Sequence, residues 1–96
     1  MEVRRATRPT IFNVSMPLAG VEYSLALPAR TKRFTFQLRG MNICRLCFTA
    51  GGSGTLFVTL QAGASYSEDS IESATPITLF FQSPVAAQVA EIIVWQ

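Results

Sequence analysis

The chain has 96 residues, 49% apolar and 15% charged, with a net charge of +2 and no His. That length holds a single domain. Without His, a Ser-His or Cys-His nucleophile pair cannot be built, so no enzyme is expected.

A domain this small hides only about 60–65% of its unfolded surface, and its charged fraction lies below the usual figure of about 25%. It therefore holds more apolar side chain than one core consumes. The surplus has three outlets: a pocket, a protein interface or a membrane. The longest uncharged runs, residues 46–67 and 73–90, are broken by Gly51-Gly52-Ser53-Gly54 and by Pro76 and Pro84. Neither reads as a spanning helix of roughly 20 apolar residues. No membrane partner is expected. The start, Met1-Glu2-Val3-Arg4-Arg5, is basic but does not run into an apolar stretch. The expectation is a chain made and folded in a cytosol.

In chain order, residues 1–9 form a basic arm with Arg4, Arg5 and Arg8, ending at Pro9. It is either a frayed terminus or a segment that reaches a neighbouring subunit. Residues 10–96 are the expected β domain. Period-two alternation follows in seven runs. They are carried by Phe12/Val14/Met16/Leu18, Tyr23/Leu25/Leu27, Phe34/Phe36/Leu38, Cys44/Leu46/Phe48, Leu56/Val58/Leu60, Ile77/Leu79/Phe81 and a last run in which Val89/Glu91/Ile93/Trp95 oppose Ala90/Ile92/Val94. Turn formers separate them: Ala19-Gly20, residues 28–31, Gly40, the hairpin tip at residues 51–54, and Pro84. Residues 62–75 escape the alternation and read as the longest connection. There Ser65 and Glu68 have capping-box spacing, which predicts a single helical turn. The fold expected is all-β, a single sandwich or jelly-roll-like barrel of about seven or eight antiparallel strands.

Cys44 and Cys47 are three residues apart in a strand, so their side chains point to opposite faces at roughly 10 Å. Bridging needs Cα atoms within about 7 Å. Two unpaired, buried thiols follow. With no further Cys and no His, a structural zinc site lacks ligands. The oxygens of Glu68, Asp69, Ser70 and Glu72 lack a calcium-loop register. No metal or cofactor is expected.

Several runs are apolar on both faces. Phe57 opposes Leu56 and Val58, Phe80 opposes Leu79 and Phe81, and Ile93 and Trp95 oppose Ile92 and Val94. An antiparallel sandwich normally wets one face of each sheet. A second subunit is one cover for the other face, and a closed barrel edge is the alternative. Charge points the same way. Residues 1–50 carry +6 and residues 51–96 carry −4. If the fold keeps these halves on separate faces, copies dock by complementary charge. The acidic half weighs against a nucleic-acid partner. Trp95, Tyr23 and Tyr66 could stack on a sugar, which keeps a glycan module open.

The strings Glu22-Tyr23-Ser24-Leu25-Ala26-Leu27-Pro28, Thr31-Lys32-Arg33-Phe34 and Gln37-Leu38-Arg39 are similar to small virion structural proteins of tailed bacteriophages. So is the tail, Leu79-Phe80-Phe81-Gln82-Ser83-Pro84 with Val89-Ala90-Glu91-Ile92-Ile93-Val94-Trp95. The resemblance runs from about residue 11 to the end. It implies a capsid decoration or cement protein, or a neck or tail component, located in the virion. The expected partners are identical copies, a trimer first, and the major capsid protein or other virion proteins. The expected contact residues are Arg4, Arg5, Arg8, Tyr66, Glu68, Asp69, Glu72 and Trp95. The rival is a glycan- or receptor-binding β-sandwich module.

Overall fold

Alternating side chains can bury one face of a strand and wet the other, and here they do so strand after strand. The computed structural model describes residues 8–69, 71 and 77–96; the expected contact residues Arg4, Arg5 and Glu72 lie outside them. Among the described residues there are eight strands and no α-helix. They are β1 (Thr10–Met16), β2 (Tyr23–Ala26), β3 (Arg33–Leu38), β4 (Cys44–Cys47), β5 (Val58–Leu60), β6 (Ser65–Glu68), β7 (Thr78–Gln82) and β8 (Gln88–Trp95). One sheet has the order β1-β8-β3-β6 and the other β2-β7-β4-β5. The pairings are antiparallel. The chain changes sheet at every connection except β4–β5, a hairpin within the second sheet. This is jelly-roll connectivity, two Greek keys closed into a double sheet.

The inner faces meet along Phe34, Phe36 and Leu38 of β3, Leu79 and Phe81 of β7, and Ala90, Ile92 and Val94 of β8. Cys44, Leu46, Leu60, Met16 and Leu27 complete the core. The rings of Phe36 and Phe81, 5.1 Å apart, join the two sheets. Each such side chain contributes about 1.5–3 kcal/mol of burial energy. Cys44 and Cys47 are unpaired and buried.

Four sequence expectations change. Ser65–Glu68 is not a helical turn but edge strand β6, paired with β3 through Phe34↔Glu68 and Phe36↔Tyr66. Backbone pairing to β3 overrides the local capping pattern. The first run stops at Met16, because Pro17 cannot donate to the ladder, and this leaves Leu18 exposed in the next loop. The fifth run forms a strand only at Val58–Leu60. Before it, Gly52–Gly54 makes one 3-10 turn that packs back over β4 and β7. The two charge halves do not separate. β3, from the basic half, lies between β8 and β6 of the acidic half, and Arg39 pairs with Glu91 at 2.7 Å.

Antiparallel order gives the sandwich two ends. The loops β1–β2 (17–22), β3–β4 (39–43), β5–β6 (61–64) and β7–β8 (83–87) share one, here termed the loop end. The start of β1, the end of β8, the β2–β3 loop and the end of β6 share the terminal end.

Candidate interaction surface

The described contact residues expected from the sequence collect at the terminal end. Arg8 is exposed just before β1. Trp95 is half-buried at the end of β8, opposite Arg33, whose guanidinium lies 4.6 Å from the indole centroid. Glu68 and Asp69 are exposed at the end of β6. Tyr66 points inward instead, with its ring 5.9 Å from Phe34 and 6.0 Å from Phe48. Its hydroxyl donates to Glu68 at 2.5 Å, and this bond together with burial pushes the phenol up to about 12. Tyr66 therefore closes the core edge and presents little surface. Arg30 and Lys32 lie in the same neighbourhood, on the loop that the Lys32 N–H ties to the Trp95 carbonyl at 2.7 Å. This end mixes four bases with two acids, and Glu68 and Asp69 rim an apolar depression of about 420 Å³ lined by Phe34, Phe48, Ile71 and Ile77.

The outer face of the first sheet is also largely polar. Glu91 accepts from Arg39 Nε at 2.7 Å and from Gln37 Nε2 at 3.0 Å. The Arg39 contact, then the Gln37 contact, hold its carboxyl below the usual range. Thr35 and Ser67 share a hydroxyl contact at 3.1 Å, and Ile11 and Ile93 form a short apolar strip beside them.

The outer face of the second sheet is partly covered by the chain's own β4–β5 turn. The Gly51 N–H reaches the Glu22 carboxylate at 2.9 Å. Gly52 lies against Cys47, so closely that an added Cβ would sit 3.2 Å from its sulfur. Part of the second apolar face thus needs no partner subunit. Beyond the turn lies a depression of about 430 Å³ lined by Gly20, Ile43, Arg45, Phe57, Thr59, Gln82 and Pro84. The Arg45 guanidinium rests 4.5 Å from the Phe57 ring centroid.

The loop end differs from all of these. Leu18, Val21, Met41, Ile43 and Val85 are exposed there, with Met41 at 75% and Leu18 at 61%. Its four loops contain just two charged residues, Glu22 and Arg39. Glu22 is engaged by Gly51 and Arg39 by Glu91. The loops are also tied to one another. The Gly20 N–H donates to the Ser83 carbonyl at 2.7 Å, and Ser83 Oγ to the Ile43 carbonyl at 2.9 Å. Asn42 Nδ2 donates to Gln88 Oε1 at 3.0 Å, and the Ala87 N–H to the Pro17 carbonyl at 3.2 Å. Met41 packs on Gly63. The buried polar groups Ser83 and Gln88 are consumed in these bonds, which makes the end a continuous cap. Sequence reading missed it. The available signal was large apolar residues in turn segments, where Pro17-Leu18-Ala19-Gly20-Val21 is the clearest.

With the geometry in hand, comparison adds a fold. The chain is similar in structure to a de novo designed double-stranded β-helix solved by NMR. The TM-score is 0.57 at 20% identity, over 94% of this chain and 100% of the other. At that identity the likeness speaks to the fold alone. No protein-family model matches the chain. No curated protein matches it either.

Proposed function

We propose that the protein is a structural assembly component, a homo-oligomeric β domain that stabilises a virus particle through contacts with its own copies and with the capsid. The observation that carries this reading is the loop end, where five large apolar side chains stand in water on a cross-braced cap. Large apolar side chains gathered in exposed loops at one end of a small domain favour a protein contact there. The sequence resemblance to tailed-phage virion proteins supplies the kind of particle, with the decoration or cement role first and the neck or tail as the variant. Burial at roughly 25 cal/mol per Å² drives such contacts before association costs are subtracted. A repeating particle surface multiplies weak ones.

The test is to band particles from cells that make this protein and to measure its copy number by mass spectrometry. A fixed copy number in the particle band is expected. A chain confined to the soluble fraction as a monomer contradicts the reading.

A glycan- or receptor-binding module is the second reading, favoured by the Arg45–Phe57 depression with Thr59 and Gln82 beside it. Its guanidinium suits an acidic sugar. Saturable binding of an acidic oligosaccharide, lost on Arg45→Ala, would select it.

A further inference from the structure

We infer that the loop end is a twofold interface in which Leu18, Val21, Met41, Ile43 and Val85 of one copy meet the same residues of a second copy. The inference rests on the assembly reading and names the partner and the arrangement. An interface that offers almost no charge asks for none in return, so an identical surface satisfies it. Glu22 and Arg39 are already held within the chain. The size fits as well: the four loops total about 20 residues, the lower bound for one side of a standard interface. Homodimer interfaces are also the more apolar class.

Self-pairing follows because, among the described residues, the other apolar surfaces are smaller or stand among charges that the cap does not answer. The terminal end has an apolar depression at Phe48, Ile71 and Ile77, but Glu68 and Asp69 line it and four bases share that end. The outer face of the first sheet is spanned by the Arg39–Glu91–Gln37 and Thr35–Ser67 contacts. The exposed Phe48, Leu56 and Val58 form a second apolar group near the β4–β5 turn. Three side chains there would leave most of the cap uncovered. A patch that pairs with itself closes as a dimer about a twofold axis. A lipid surface fits poorly. It draws bases beside the apolar tips, and here Arg8, Arg30, Lys32 and Arg33 sit at the opposite end.

The experiment is sedimentation equilibrium of the full chain and two variants, with circular dichroism to confirm the fold. Wild type should weigh twice the chain mass. Leu18→Glu/Met41→Glu should raise the dimer dissociation constant at least tenfold, and Leu56→Glu should leave it unchanged. Val85→Asp gives an independent disruption should the double variant fail to fold. A dimer indifferent to the loop-end variants, or a wild-type trimer, overturns the twofold cap and leaves the assembly reading standing. A wild-type monomer at every concentration removes both. A monomer that pellets with phosphatidylcholine vesicles replaces the protein partner with lipid and also overturns the inference.

Discussion

Ala87 holds a φ of 59° in the β7–β8 loop, the left-handed region that a Cβ disfavours. Its N–H bond to Pro17 and the bonds of Gln88 next to it fix that conformation. Ala87→Gly should therefore stabilise the fold by about 0.5–1 kcal/mol, read as a higher urea midpoint. Glu91 sets a pH dependence. Its carboxyl is held low in the folded chain by Arg39 first and Gln37 second. A depressed carboxyl stabilises the fold above its unfolded value, near 4.3. That stability is lost as pH falls from there through the lower folded value. Glu91→Gln should flatten the acid limb of the stability curve in that window and leave the neutral limb parallel. Tyr66 offers a third test. Tyr66→Ala removes the ring contacts with Phe34 and Phe48 and should cost about 2 kcal/mol. Tyr66→Phe keeps the ring and should cost less than half as much.

At the scale of elements, the strands with alternating apolar residues were legible because burial imposes the period. Phe34, Phe36 and Leu38 announce β3 with no help from the rest of the chain. β6 was not legible, because Ser-Tyr-Ser-Glu buries little and owes its form to hydrogen bonds with β3. The β4–β5 turn was legible as glycine-rich, but its return over the outer sheet was not, since that depends on Gly51 meeting Glu22 29 residues earlier in the chain. This turn is a cover over Cys47. Gly52→Ala pushes a methyl group toward the Cys47 sulfur and should lift it. Alkylation of Cys47 in the native protein should then accelerate several-fold. Cys44 should stay unlabelled, because burial raises its thiol to about 12 and leaves it protonated. Equal labelling of both thiols would show global unfolding instead.

For the whole molecule, the sequence showed that apolar residues were in surplus but not where they would emerge. The charge sorting along the chain suggested docking between oppositely charged faces. Strand order undid it by placing β3 between β8 and β6. Of the expected contact residues, Arg8, Glu68, Asp69 and Trp95 lie at the terminal end among mixed charges, and Tyr66 turns inward. What the fold does is leave the loop end nearly without charge and expose Leu18, Met41 and Val85 there. An association driven by that apolar end strengthens when salt screens charge and raises the cost of wetted hydrocarbon. The direct measurement is molar mass by light scattering over a concentration series at low and at high salt. The account predicts a mass above one chain that holds or rises with salt. A single-chain mass throughout, or an oligomer that salt dissolves, would contradict it.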